Sequence, residues 1–255
     1  MYNHQTNSKM KKRFKMIAIM TMMLCAAFVN VSCDKKNDLN GGDNGNGVIP
    51  SSGPIEVSIA GSIDHSNYTP GQTGTVTFNR FPNSVSEFKQ VKEQIGREPH
   101  GAVALELMAF EMYRRNRKTG EECIQLINTK LNVKPCTDRL RELFGKDGVY
   151  ARPYQIAAFL RGASPSNGYT PQEPYTIEVS VNTGRPYDTS TDYNNAKVLY
   201  LEVKTGGKGS GRETVEVLKT TRAGEPSNGE FFIVMNCPGV YAQVQPAATA
   251  FPGLK

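Results

Sequence analysis

Hydrophobic and polar positions change their spacing several times along this chain. Residues 16–29 run almost without a polar side chain, and Lys9, Lys11, Lys12, Arg13 and Lys15 precede them. Residues 34–54 are polar and rich in glycine and asparagine. Between Ser84 and Gly162 the apolar residues recur every three or four positions, which lines one face of a helix; after Gly162 they alternate, which lines one face of a strand. The pattern predicts an α+β domain: a layer of about five short helices followed by a mostly antiparallel sheet of four to five strands.

The helical part divides at its caps. Ser84 and Glu87 stand at capping-box spacing, Phe88, Val91 and Ile95 share a face, and Gly96 ends the element. Residues 102–113 are apolar on nearly every side, with Glu106 and Glu111 the only charges, so this helix is expected at the centre of the domain. Thr119 and Glu122 suggest a third start, followed by Cys123, Ile127 and Leu131 at four-residue intervals. Thr137 is placed to cap a fourth helix carrying Leu140, Leu143 and Phe144, and Pro153 suits the first position of a last apolar turn ending at Gly162.

The strand part begins with Tyr175, Ile177, Val179 and Val181 on one side of a run, then Leu199, Leu201 and Val203, then Val215 and Val217. Residues 231–235 are continuously apolar and read as a central strand, and residues 240–244 as a fifth. Two earlier alternating runs, 55–59 and 74–78, either pair as a hairpin or take edge positions in the same sheet.

The opening apolar run is too short to cross a hydrocarbon core about 30 Å thick, and its basic flank marks an export signal, for which Met10 is a more typical start than Met1. Ser32-Cys33 at its end resembles the lipobox of bacterial lipoproteins, in the looser spelling seen in Bacteroidota, with Asn30 and Val31 departing from the common form. That resemblance implies acylation of Cys33, which would then become the first residue and hold the protein on a bilayer. The expected organisation is a lipoprotein signal over 1–33, a flexible tether over 34–54, one domain over 55–245 and a tail over 246–255.

Charge and cysteine content narrow the function. The chain carries 30 Lys and Arg against 24 Asp and Glu, but five of the basic residues precede Cys33, leaving 25 against 24. The basicity belongs to the export segment and implies no nucleic-acid partner. Of five cysteines, Cys123, Cys136 and Cys237 remain in the domain. They form either a Cys123–Cys136 disulfide with one thiol left over, or three reduced core thiols.

Catalytic and metal motifs find little support. His65 and His100 stand far apart without a Cys-x-x-Cys or a second histidine at helical spacing, so no metal or cofactor is expected, and His100 reads as a helix-start residue. The glycine-rich stretch 206–211 lacks the spacing of a phosphate loop and reads as a hairpin loop. Glu106 and Glu111 diverge by about 140° around their helix and make a poor carboxylate pair; Glu106 is expected to meet Arg114, Arg115, Arg139 or Arg141, or to lie at a solvent edge. The non-periodic segment 162–175, with three prolines and an Asn-Gly turn, offers two readings. It is either a structural junction plugged by Tyr169 or a binding surface formed by Tyr154, Asn167, Tyr169 and Tyr175, with Tyr150, Tyr187 and Tyr193 able to extend it.

The run Gly162-Ala163-Ser164-Pro165-Ser166-Asn167-Gly168-Tyr169, with Pro174-Tyr175-Thr176, Phe81-Pro82 and Gly101-Ala102-Val103-Ala104-Leu105, resembles a family of uncharacterised exported domains found in lipoproteins of Bacteroidota and related bacteria. The resemblance spans roughly residues 81–244 and implies helices followed by sheet, without catalytic residues to carry over. The expected function is a lipid-anchored, non-enzymatic envelope module. It would sit on the outer membrane, facing the periplasm or the cell surface, and bind an envelope protein or glycan. The alternative is a cofactor-free hydrolase of an envelope or extracellular polymer.

Overall fold

Four helices are inserted between two neighbouring strands of one sheet. The computed structural model describes residues 53–64, 69–145, 152–185, 187–188, 198–219 and 230–255, with 187–188 described by backbone alone. Cys33, the export segment, nearly all of the expected tether, His65, Tyr150 and Tyr193 lie outside the described residues, as does the side chain of Tyr187.

The chain begins with β1 (Val57–Ser62) and β2 (Thr73–Phe78). It passes through α1 (Val85–Ile95), α2 (Pro99–Arg115), α3 (Arg117–Ile127) and α4 (Lys130–Phe144), then two 3-10 turns, Ala157–Phe159 and Pro165–Asn167. It finishes with β3 (Tyr175–Val181), β4 (Tyr187–Asp188), β5 (Val198–Lys204), β6 (Arg212–Lys219), β7 (Phe232–Asn236) and the single turn α5 (Pro238–Tyr241). The strands run in the order β1-β2-β3-β5-β6-β7, every pair antiparallel, and β4 pairs with β5. The fold is α+β as expected, with more strands because the early alternating runs both form a hairpin and join the sheet. Thr77 stands opposite Thr176 in this ladder, so β2 meets β3 only after the whole helical excursion.

The central helix is α2, buried from Pro99 through Arg114 and packed on β2, β3, β6 and β7. Two of its close contacts depend on missing side chains. A Cβ on Gly74 of β2 would fall 2.4 Å from the His100 ring, and one on Gly120 of α3 would fall 2.1 Å from the Tyr113 Cα. Glycine at these positions lets α2 lie directly on the sheet and lets α3 cross it closely. His100 is fully buried at the start of α2, with its ring beside the Ala60 backbone.

Several boundaries differ from the pattern-based reading. Asn116, not Thr119, caps α3: its extended backbone lets Oδ1 accept the Thr119 amide at 3.0 Å, and asparagine is the stronger cap. The helix then breaks at Asn128 and Thr129, which leaves Leu131 on α4 with 74% of its surface exposed. Thr137 lies inside α4, which continues past Pro135; its hydroxyl donates to the Lys134 carbonyl rather than opening a helix. The strand β7 is at the sheet edge, not its centre. It is apolar because both faces are covered: Phe232 and Val234 join the main core, while Ile233 packs with Val198, Tyr200 and Leu218. Residues 240–244 form no strand, since Pro238 opens the α5 turn.

Residues 246–255 are not a tail. Leu254 is fully buried, the Phe81 amide donates to the Lys255 carbonyl at 2.9 Å, and Arg115 donates to the carbonyls of Leu254 and Lys255. The far end of the described domain is also fastened. Arg80 is buried, grips Glu87 through two hydrogen bonds of 2.7 and 2.9 Å, and donates to the Gly53 carbonyl at 2.8 Å. Asn79 adds bonds to the Pro54 carbonyl and the Glu56 amide.

Candidate functional site

The segment 162–175 is the structural junction rather than an open surface. Tyr169 and Tyr175 are buried to within 1% and Tyr154 to within 8%. Their hydroxyls hold the end of the chain: Tyr169 donates to the Gln245 carbonyl at 2.7 Å, while Tyr154 and Tyr175 accept the amides of Ala247 and Lys255. Asn167 is exposed, but its side chain is occupied within the loop. Its Oδ1 accepts the amides of Ser164 and Thr170, and its Nδ2 donates to the carbonyls of Gly162 and Thr170. A fully satisfied Asx-type loop with its aromatic rings turned inward has little left to offer a ligand, so the binding-surface reading of these four residues is corrected.

The polar chemistry lies around α2. Glu106, in the middle of α2, is 4% exposed; of the arginines expected for it only Arg139 shares its pocket, without a salt bridge between them. The arginines Arg114 and Arg115 instead clasp Glu111 at 2.7 and 2.8 Å; despite complete burial their charges hold that carboxyl below its usual range. Glu106 receives a 3.2 Å hydrogen bond from Asn128 Nδ2, and its other oxygen faces the Cys136 thiol at 4.0 Å. Burial pushes the carboxyl up to about 8, only partly opposed by the Asn128 bond, so it is mostly protonated at neutral pH.

Around it is a half-open pocket of about 120 Å3, room for several water molecules. The side chains that give it its chemistry are Glu106 from α2, Asn128 from the α3–α4 junction, Asn132 and Arg139 from α4, Asn236 from β7 and Tyr241 from α5. Two thiols share it. Cys136 accepts the Tyr241 hydroxyl at 3.3 Å, and Cys237 lies near enough to feel Glu106, Cys136 and Tyr241 electrostatically. Burial raises both thiols and the Tyr241 phenol far above their ordinary values. The Arg139 guanidinium stands over the Tyr241 ring at the rim, 5.3 Å from its centre.

Of the two cysteine readings, the structure has the three reduced core thiols and no Cys123–Cys136 link: all three domain cysteines are free and buried. Cys123 faces Met112 at 3.6 Å, whereas Cys136 faces the pocket, so the two point into different environments. The glycine-rich loop connects β5 to β6, and Lys208 is taken by Glu213 at 3.3 Å and by the Gly239 carbonyl. Among the described residues no group of three His, Cys, Asp or Glu side chains is arranged to hold a metal ion. The sequence singled out Glu106 and Cys136 individually; nothing in their spacing from Cys237 and Tyr241, more than a hundred residues later, linked them.

A family model described as a domain of unknown function, DUF6935, matches residues 80–248. The chain belongs to the DUF6935 family. No curated protein and no solved structure matches it. The DUF6935 match starts after β2, so the β1–β2 hairpin lies outside the matched span although it completes the sheet. Every pocket residue falls within that span.

Proposed function

We propose that this DUF6935 protein is a lipid-anchored module of the outer membrane, facing the periplasm or the cell surface, which binds an envelope protein or glycan and performs no hydrolysis. The reading is supported by the way the chain enters the folded domain. The polar stretch that follows Cys33 ends where Arg80 and Asn79 grip the backbone at Gly53, Pro54 and Glu56. A tether of 21 residues has a typical reach of roughly 25 Å. A clamp at its end would pass any pull from an acyl anchor into the Arg80–Glu87 pair and α1 rather than into β1 alone.

The chemistry favours binding over hydrolysis. Polymer hydrolysis by acid–base catalysis calls for two carboxyl groups with contrasting roles across a cleft. Glu106 faces an amide, thiols and a phenol, and Glu111, the next acid on the helix, is locked to two arginines. The test is metabolic labelling with radioactive palmitate, followed by membrane fractionation, of the full chain and of Cys33→Ala. Label on the wild type alone, with the variant unprocessed or released from membranes, supports the proposal. Equal labelling, or a processed variant that stays on membranes, rejects it.

A further inference from the structure

The Glu106 pocket combines features that serve no evident packing purpose. A carboxyl group in the middle of the central helix is buried, and one of its oxygens has only a distant thiol as neighbour. An apolar residue of similar size would fill that position at lower cost, because burying a carboxyl without full hydrogen bonding is expensive. The cost is accepted beside a cavity lined by Asn128, Asn132, Asn236 and Tyr241 from four other segments. The three Nδ2 groups bond Glu106, the Met235 carbonyl and Glu216, and the Tyr241 hydroxyl bonds Cys136, so each asparagine has its amide oxygen and a second N–H to offer a ligand. Pro135, Val234 and Met235 supply apolar wall between these polar groups.

We infer that this pocket is a binding site for an uncharged sugar residue, taken as the exposed end of a glycan, with Glu106 and the asparagine amides bonding its hydroxyl groups. A carboxylic acid and an amide each present a donor and an acceptor side by side, which matches the paired donor and acceptor character of neighbouring sugar hydroxyls. The apolar strip formed by Pro135, Val234 and Met235 suits the C–H face of a sugar ring. At about 120 Å3 and half open, the pocket takes one edge of a ring, the rest of which lies at its mouth. The inference rests on the envelope-binding reading above and gives it a ligand class; it fails separately, because loss of sugar binding leaves the palmitate result untouched.

The groups that face Glu106 set how binding responds to pH. They are Cys136 and Arg139 from α4, Cys237 at the start of α5, and Tyr241 from α5; β7 contributes only Val234, Met235 and Asn236. Ionised Glu106 loses its donor, so affinity should fall as pH rises past about 8.

The test is calorimetric and thermal-shift titration of the full chain with neutral hexoses, N-acetylhexosamines and their short oligomers, and with a hexuronate for comparison. Saturable binding of a neutral sugar is expected, weakened at least tenfold in Glu106→Leu and largely kept in Glu106→Gln. The Gln variant should also lose the decline above pH 8. A wild type that binds none of the neutral sugars, binds the hexuronate more tightly, or is matched by a folded Glu106→Leu overturns the assignment. If Glu106→Leu does not fold, Asn132→Ala at the pocket wall is the deciding variant, with the same tenfold weakening expected and unchanged affinity counting against the site.

Discussion

Tyr169 lies flat on Tyr154, with ring centres 4.7 Å apart and planes 9° from parallel. Both hydroxyls then reach the last residues of the chain, so one stacked pair joins the 3-10 region, the Asn167 loop and the C-terminal segment. Tyr169 also adopts a left-handed backbone (φ 58°), which the bonds of Ser164 and Asn167 around it enforce. Replacing it with alanine removes a buried aromatic ring and should destabilise the domain by about 3–5 kcal/mol. Tyr169→Phe keeps the stack and loses the bond to Gln245, at a cost of about 1 kcal/mol. Urea unfolding of the two variants measures both; equal effects would mean the ring stack contributes nothing.

Glu106 makes the domain less stable than its shape allows. Its carboxyl is raised in the folded state to about 8 from the ordinary 4.5, so folding holds a proton that the unfolded chain releases. Stability is therefore greatest below pH 4.5 as far as this group is concerned, declines as pH rises from 4.5 to 8, and levels off above. At pH 7 the penalty is about 3 kcal/mol. Glu106→Gln should raise the melting temperature, by more at pH 8 than at pH 5, as read by calorimetry at the two values.

His100 acts in the opposite direction. Burial lowers it from 6.5 to about 4, so the folded protein keeps the ring neutral while the unfolded chain accepts a proton. Its contribution is complete above pH 6.5 and is lost as pH falls through that value towards 4, by roughly 3 kcal/mol. Urea midpoints measured between pH 7 and pH 4 should show this loss, and His100→Phe should flatten that part of the profile. The ring packs against Gly74, so Gly74→Ala should be strongly destabilising at every pH.

The three thiols are expected to be slow. Burial pushes Cys123 up to about 12 and raises Cys136 and Cys237 well above the usual thiol range, which leaves almost no thiolate at neutral pH. Ellman's reagent should label none of the three within minutes in the native state and all three in denaturant. Rapid native labelling of one thiol would show that its surroundings open.

Arg80→Ala should release the start of the domain. The substitution removes both bonds to Glu87 and those to Gly53, leaving a partly buried carboxylate without its cation. A loss of about 1–3 kcal/mol is expected, with faster amide exchange and proteolysis confined to the β1 region. Unchanged exchange there would show that Asn79 alone holds the entry.

Much of the architecture was readable because it is local. Ser84 caps α1 with a 3.2 Å bond to the Glu87 amide, Gly145 ends α4 with positive φ, and α2 is apolar all round because it is covered all round. The errors arose where two local signals compete or where burial comes from elsewhere. Asn116 outranks Thr119 as a cap, and Thr137 reads as a helix start although α4 already runs from Lys130 through Pro135 and past it. The run 231–235 reads as central because apolar continuity reports two covered faces, which an edge strand can also have. The pocket was illegible for a different reason: Glu106, Cys136 and Tyr241 meet only through tertiary packing, and no periodicity encodes that meeting.

The pairing of β2 with β3 bears on how the molecule can be cut. Trimming it to the span of the family match would strip β1 and β2 and leave the whole outer side of β3, from Tyr175 to Ser180, with bare amides and carbonyls. Such a naked border invites other chains to add on in place of the lost hairpin, so the shortened protein should self-associate more than the longer one.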